Sequence, residues 1–370
     1  MSDERKLILR MLKEGKISEE EALKLLDAIG NKETSSQMGA EFNEQSFETK
    51  AQNFAEGIVN TLDQAFKKIG DKLGQIDIGY DFDIDLGPGR RYSFNNFKSR
   101  LTKVYTAEVS DEISKLYVEN KNGQIQIKES QDDVVSIEVD FKYDERYIDE
   151  AFDPITYEIV EGQLEILPKE TKNKKEKFIA DLIVSLPRNK NWKQAEIKTS
   201  NGKLSIQKLK ASNMQAKSNN GKIELESVEA DQVKVKTTNG GISVIGVSAS
   251  ELEISAINGQ ILLDHNLAKD IQLDSVNGAL EVTVGLDTQT LSASTVNGRV
   301  NLEVQDINRP MRAELYHASK GNSDPRLPSV FTQIEKVKDG VLASTDNYEE
   351  DSQLKLDLKA STVNGRIDII

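Results

Sequence analysis

From residue 195 onward, apolar side chains return at fixed places in a short unit. Each unit is marked by an Asn-Gly pair. Asn201-Gly202, Asn220-Gly221, Asn239-Gly240, Asn258-Gly259 and Asn277-Gly278 follow one another at steps of 19 residues, and Asn297-Gly298 comes after a step of 20. Asn122-Gly123 and Asn364-Gly365 carry the same pair outside the regular block. Three residues after each asparagine of the block stand Leu204, Ile223, Ile242, Ile261, Leu280 and Val300, and five after stand Ile206, Leu225, Val244, Leu263, Val282 and Leu302. Six before are Ala195, Met214, Val233, Leu252, Ile271 and Leu291, and four before are Ile197, Ala216, Val235, Ile254, Leu273 and Ala293. Two before, only small residues occur: Thr199, Ser218, Thr237, Ala256, Ser275 and Thr295. Polar residues fill most of the alternate positions. Such a unit predicts two strands of period two, one on either side of the Asn-Gly turn. Glycine is expected to supply a positive φ at the turn, which asparagine tolerates better than most residues.

Two architectures fit. In a β-solenoid each unit is one coil and equivalent side chains stack into ladders. In an antiparallel meander each Asn-Gly is a hairpin turn. The nearly insertion-free spacing, the small residue before the turn and the constant chemical type at each place favour the solenoid. The expected fold class is therefore mainly β, a parallel β-solenoid with about 19 residues per coil, preceded by an N-terminal helical hairpin and a linker amphipathic helix. Regular repeats are assigned to 195–304 within a β-strand-repeat domain at 101–370. Before the block, Val134–Tyr143, Ile155–Leu167 and Phe178–Leu186 are predicted as further strands, and Lys169–Lys177 as a solvated turn. An irregular insertion at 306–340, with Pro310, Pro325 and Pro328, is expected to project from the stack as a cap or a recognition loop.

The first 30 residues follow a different period. Leu7, Ile8, Met11 and Leu12 recur at helical spacing and Gly15 follows. Ile17 precedes Ser18, with Glu21 three residues on, a capping box. Ala22, Leu25, Leu26 and Ile29 form a second stripe that Gly30 ends. A hairpin this small buries too little surface to stand alone. Leu7, Met11, Leu12, Ile17, Leu25, Leu26 and Ile29 are thus its expected interaction face, toward a protein partner or a second copy. Within the linker at 31–100, Phe47, Ala51, Phe54, Ile58, Leu62, Phe66, Ile69 and Leu73 predict one amphipathic helix over 46–74. Its polar face balances acids and lysines, which favours capping or helix pairing over lipid binding. The alternating aspartates at 77–85 lack the glutamate of an EF-hand loop and fit a wet-faced edge strand better.

The chain of 370 residues has a net charge of −14 and no cysteine. Disulfides, thiolate metal sites and cysteine nucleophiles are excluded. The acidic balance argues against nucleic acid and anionic lipid as partners, and suits cationic peptides. No stretch has the length and apolarity of a signal peptide or a spanning helix, so the expected location is the cytoplasm, with any membrane contact peripheral; the alternative is the cell surface by a non-standard route. The two histidines, His265 and His317, lack metal-ligand spacing, and no nucleophile elbow, phosphate loop or dinucleotide fingerprint occurs. No catalytic residue, metal or cofactor is expected. A polysaccharide lyase or hydrolase built on paired carboxylates is the weaker alternative, since aromatic content is only 6%.

Leu12-Lys13-Glu14-Gly15-Lys16-Ile17-Ser18-Glu19-Glu20-Glu21-Ala22 is similar to the short SHOCT-like helical modules of bacterial proteins. Together with units such as Thr199-Ser200-Asn201-Gly202-Lys203-Leu204, it makes the chain resemble the YvlB/LiaX-type proteins of Gram-positive bacteria. Those combine a SHOCT-like N-terminus with an adhesin-like β-strand-repeat domain. The resemblance implies a regulatory or scaffolding role in the cell-envelope stress response, with self-association or regulator binding through the helices. For some members it implies sensing of, or resistance to, cationic antimicrobial peptides. A module that binds glycans or such peptides is the second expectation.

Overall fold

The computed structural model describes residue 97 and residues 99–171, 178–317, 324–337 and 340–370. The helical hairpin, its interaction face, the linker helix at 46–74 and the aspartate run lie outside the described residues, as does most of the lysine-rich turn.

The described chain is built of strands. The first seven are β1 (Ser99–Glu108), β2 (Lys115–Asn122), β3 (Ile125–Ser130), β4 (Val134–Tyr143), β5 (Ile155–Val160), β6 (Gln163–Pro168) and β7 (Phe178–Pro187). The regular block follows as long and short strands in alternation: β8 (Trp192–Asn201), β9 (Leu204–Gln207), β10 (Lys210–Asn220), β11 (Ile223–Glu226), β12 (Glu229–Asn239), β13 (Ile242–Ile245), β14 (Ser248–Asn258), β15 (Ile261–Asp264), β16 (Leu267–Asn277), β17 (Leu280–Val284), β18 (Thr290–Thr295) and β19 (Val300–Val304). The last five are β20 (Met311–His317), β21 (Phe331–Val337), β22 (Gly340–Thr345), β23 (Leu356–Thr362) and β24 (Ile367–Ile369).

They form two sheets. One has 11 strands in the order β1-β4-β7-β3-β9-β11-β13-β15-β17-β19-β24, the other 13 in the order β21-β22-β20-β23-β18-β16-β14-β12-β10-β8-β2-β6-β5. Each unit runs along a long strand of the larger sheet, turns at Asn-Gly, and crosses to a short strand of the smaller one. Neighbouring units are parallel and in register: Met214 stands beside Ala195 and Val233, and Ile242 beside Ile223 and Ile261. The chain is therefore a parallel β-solenoid and not a meander of hairpins. Asn122 stacks directly on Asn201 although 79 residues separate them (201 − 122), because the intervening β4–β7 extend the two sheets on the far side of β2 and β3.

The inward columns are fully buried. Ile197, Ala216, Val235, Ile254, Leu273 and Ala293 are inaccessible, as are Leu204, Ile223, Ile261, Leu280 and Val300 or nearly so. Burying one such aliphatic side chain contributes about 1.5–3 kcal/mol, and here every column repeats the gain coil by coil.

The Asn-Gly corner has its own chemistry. Asn201 Nδ2 donates to Asn122 Oδ1 at 3.0 Å. Asn220, Asn239, Asn258, Asn277, Asn297 and Asn364 each donate in the same way to the asparagine of the preceding coil at 2.7–2.9 Å. The result is one unbroken amide ladder. Its glycines differ from the expectation: only Gly123 and Gly202 have φ in the positive range, at 128° and 153°. What demands glycine is close approach. A Cβ on Gly259 would lie 2.0 Å from the Gly240 carbonyl oxygen, and one on Gly221, Gly240, Gly278, Gly298 or Gly365 would lie 1.8–2.2 Å from its own neighbour's. The small residue two before the turn serves the same corner. Thr199, Thr237, Thr295 and Thr362 donate their hydroxyls at 2.9–3.3 Å to the carbonyls of Gly123, Gly221, Gly278 and Gly298.

The opposite corner carries a second column that no sequence signal marks. Lys208, Ser227, Gly246 and His265 are all left-handed, with φ of 54°, 54°, 63° and 52°. Beneath them Leu209, Val228 and Val247 are buried, and Asn266 takes the next place, bonding the Val247 N–H at 2.8 Å and the Val244 carbonyl at 3.1 Å.

Both ends depart from the repeat. Ile155–Leu167 is not one strand but the hairpin β5–β6, turned at Glu161-Gly162 with φ of 49° and 74°. The described part of 306–340 does not project. Its strand β20 pairs parallel to β23 and antiparallel to β22, so it extends the larger sheet. The extra residue of the 20-residue step falls in the loop Gly285–Thr288. That loop is held by Arg309, only 8% exposed, whose guanidinium donates to the carbonyls of Gly285, Leu286 and Thr288 and, across the seam, of Leu354 and Lys355, at 2.7–3.2 Å. Burial pushes its pKa down, opposed by Asp306 and Asp287.

Two expected outcomes follow from these contacts. In urea unfolding, Gly259→Ala loses about 3 kcal/mol through forced backbone displacement, whereas Gly246→Ala, whose Cβ would make only ordinary van der Waals contacts with Ser227, loses only about 1 kcal/mol for its left-handed φ. Arg309→Met loses about 3 kcal/mol by orphaning five carbonyls, and Arg309→Lys recovers only part, since one ammonium cannot span the same fork.

Candidate binding surface

The polar alternates of each strand face outward and stack into columns of their own. On the larger sheet Lys198, Lys217 and Lys236 are adjacent in register, three residues before the turn. The column beside them holds Glu196, Gln215, Lys234 and Glu253. Charges are matched laterally: Lys198–Glu196 at 2.8 Å, Lys234–Glu253 at 2.7 Å, with Lys217 and Lys236 within 4 Å of Glu196 and Glu253. Tyr117, stacked at the end of this column, has Lys198 4.9 Å from its ring centre. Burial, then a hydrogen bond to Glu119, pushes its pKa to about 12. Burial works against the charge of Lys198, but Glu196 and Tyr117 outweigh it and hold its pKa up.

On the smaller sheet Glu224 lies between Lys203 at 2.6 Å and Lys222 at 2.9 Å. Burial would raise its pKa, yet the two lysines outweigh that and depress it. Toward the middle of this face the charges give way to Ser243, Ile245, Leu262 and Ala279. Ile245 and Leu262 are exposed. Farther on, Arg299 pairs with Glu281 at 3.0 Å and Arg366 with Asp368 at 2.8 Å.

The sequence's structural residues, Asn122 to Gly365, come together in the single corner ladder and do not surround a cavity. His265 sits on the opposite corner against Asp264 at 2.8 Å, and His317 lies far along the chain at the end of β20. Among the described residues no group of three or more His, Asp or Glu side chains is arranged to hold a metal ion. Among them, too, no helix is long and apolar enough to cross a membrane.

A model of the Toastrack DUF4097 family matches residues 113–369. The chain belongs to this family. The Toastrack domain thus spans all the Asn-Gly coils and both irregular ends, leaving out only β1 of the described strands. A SHOCT-like domain model matches residues 3–34, outside the described residues. No match is found among curated proteins. Solved structures similar to the Toastrack region include a candidate adhesin from Bacteroides fragilis, at 13% identity and a TM-score of 0.40, covering 74% of this chain and 99% of the other. A candidate adhesin from Parabacteroides merdae is similar at 12% identity and 0.41, covering 74% and 97%. A candidate lipid-binding protein from Parabacteroides distasonis is similar at 15% and 0.38, covering 73% and 96%.

Sequence reasoning missed the sheet edges of the Toastrack domain, because an edge is a property of strand order and not of any one segment. The end of β24 is closed by Arg326, which donates its N–H to the Ile367 carbonyl at 3.0 Å and accepts from Ile369 at 2.8 Å. On β1, Lys103 points inward and donates to the Phe152 carbonyl at 2.9 Å and to Asp153 at 3.2 Å. The register of β21 breaks between Phe331 and Gln333. Bulges and inward charges of this kind are standard protections of an edge. On β5 Thr156 to Val160 are all exposed, as are Thr332 to Lys336 on β21, but β5 carries neither the register break nor the lysine of β21.

The depressed pKa of Glu224 fixes a pH dependence. Its contribution is present above the unfolded value of about 4.5 and is lost as pH falls through the lower folded value. Glu224→Gln is therefore expected to cost well under about 1 kcal/mol at pH 7, as exposed pairs do, and to flatten the acid limb of a stability profile followed by circular dichroism between those two values.

Proposed function

We propose that the protein is a non-catalytic scaffold of the bacterial cell-envelope stress response. Its SHOCT-like module self-associates or engages a regulator, and its Toastrack domain presents a rigid binding surface. The observation that carries this reading is the unbroken register of the stack. Eight Asn-Gly coils at about 4.8 Å per step give columns about 34 Å long, with their charges paired sideways along the surface instead of converging on one point. Such a surface suits recognition of an extended partner more than chemistry on a small one. The stress-response role rests on the resemblance to YvlB/LiaX-type proteins. The cytoplasm, or the inner face of the membrane through peripheral contact, is the location proposed with it.

A second reading, an adhesin-like module that binds glycans or cationic peptides, is favoured by one feature. Residues 144–171 hold nine acids (Asp144, Glu145, Asp149, Glu150, Asp153, Glu158, Glu161, Glu165, Glu170) and two bases (Arg146, Lys169). Their net charge of −7 is half that of the whole chain, −14.

Deleting residues 1–30 is expected to lower the mass measured by light scattering while leaving the β circular-dichroism signal unchanged. An unaltered mass removes the self-association role from the module. Calorimetric titration with a cationic antimicrobial peptide and with cell-wall fragments separates the second reading from the first.

A further inference from the structure

We infer that the outer edge of β5 is a docking site for an extended, basic peptide segment of a partner protein, which adds to the larger sheet as one more strand. The inference rests on the binding-module reading and specifies where and how that binding occurs; it needs neither the stress-response role nor the N-terminal module.

The backbone sets the geometry. β5 pairs with β6 in antiparallel register, Thr156 with Leu167, Glu158 with Glu165 and Val160 with Gln163. The Lys169 N–H donates to the Pro154 carbonyl at 2.9 Å, one pair beyond. In an antiparallel ladder, hydrogen-bonded pairs alternate with unbonded ones. Thr156, Glu158 and Val160 therefore direct their N–H and C=O groups to β6, and Tyr157 and Ile159 direct theirs outward to solvent. Two donors and two acceptors thus stand at strand spacing on an edge that nothing among the described residues covers.

Side chains add to this. Tyr157, Ile159 and Val160 are 40%, 49% and 43% exposed, three large apolar groups on one six-residue strand. No lysine, arginine or proline lies between Ile155 and Val160. The other three edges are each blunted, by Arg326, by inward Lys103 and by the irregular register of β21. An exposed, apolar, uncharged-by-cation edge is the kind of strand to which extended peptides add.

Charge selects the occupant. Glu158 stands directly across from Glu165, and like charges so placed repel. Among the described residues neither of them, nor Glu161 at the turn, has a salt-bridge partner. Extending the count of 144–171 to residue 177 adds four lysines and one glutamate and still leaves a net charge of −4. A second copy of this chain would bring its own Glu158 and Glu161 against these. A segment carrying lysine or arginine at alternate positions would instead pair with them, while its other side chains cover Tyr157 and Ile159.

The test uses the full chain and three labelled ten-residue peptides followed by fluorescence anisotropy: alternating Lys-Val, alternating Glu-Val and alternating Lys-Pro. The Lys-Val peptide is expected to bind at micromolar concentration and the other two at least tenfold more weakly. Ile159→Pro removes an outward N–H without touching the β5–β6 ladder, and Ile159→Lys places a repelling charge on the edge. Each is expected to weaken Lys-Val binding at least tenfold with the thermal midpoint unchanged. Absence of Lys-Val binding, equal binding of Lys-Pro, or full binding by both variants overturns the inference, as does a dimer seen by light scattering that Ile159→Lys dissociates. Loss of peptide binding on deleting residues 1–30 alone moves the site off β5 and leaves the binding-module reading standing.

Discussion

At the Asn-Gly corner, successive backbones approach so closely that a single added carbon has nowhere to go. A Cβ on any ladder glycine from Gly221 to Gly365 would meet the preceding glycine's carbonyl oxygen at 1.8–2.2 Å, far inside van der Waals contact. This contact fixes the height of each coil on the last. Once the height is fixed, the asparagine amides fall within hydrogen-bond reach, the threonine hydroxyls find the glycine carbonyls, and the aliphatic columns meet face to face. The ladder is thus less a source of energy, at about 1 kcal/mol per exposed bond at most, than a gauge that keeps every inner column aligned.

Legibility in the sequence follows directly from how exclusive each position is. The Asn-Gly corner was readable because only glycine clears the carbonyl and a side-chain amide both donates and accepts along a column. Its glycine requirement was assigned to φ, and the structure assigns most of it to crowding, two causes that leave the same residue behind. The opposite corner was silent. A lone left-handed residue costs only about 1–2 kcal/mol, so lysine, serine, glycine and histidine all occupy it, at 208, 227, 246 and 265. The hairpin β5–β6 was hidden because Glu161-Gly162 lacks the asparagine that makes such turns conspicuous. The exposed edge of β5 could not be read at all, since it exists only once β6 has been placed beside β2.

The two ends handle the limits of the repeat differently. At the first, β6 and β7 imitate a coil without its corner. Ala180 supplies the carbonyl that a glycine supplies elsewhere, and Asn120 donates to it at 2.6 Å. At the last, one extra residue throws a loop out of step, and Arg309 gathers its stranded carbonyls together with those of the segment that returns to the stack. A buried cation held by carbonyls alone is a costly group. Its presence shows how much unpaired backbone the irregular step would otherwise leave.

The same corner governs how the molecule ages. In a loose chain, an asparagine followed by glycine readily loses its amide, because the glycine nitrogen swings onto the side-chain carbonyl carbon. In three of the coils that nitrogen is engaged: Gly123, Gly240 and Gly259 donate their N–H groups to the carbonyls of Asn201, Asn258 and Asn277. In those coils chemical damage waits on local opening. The aspartate it leaves cannot donate to its neighbour, so the amide ladder is interrupted at that coil.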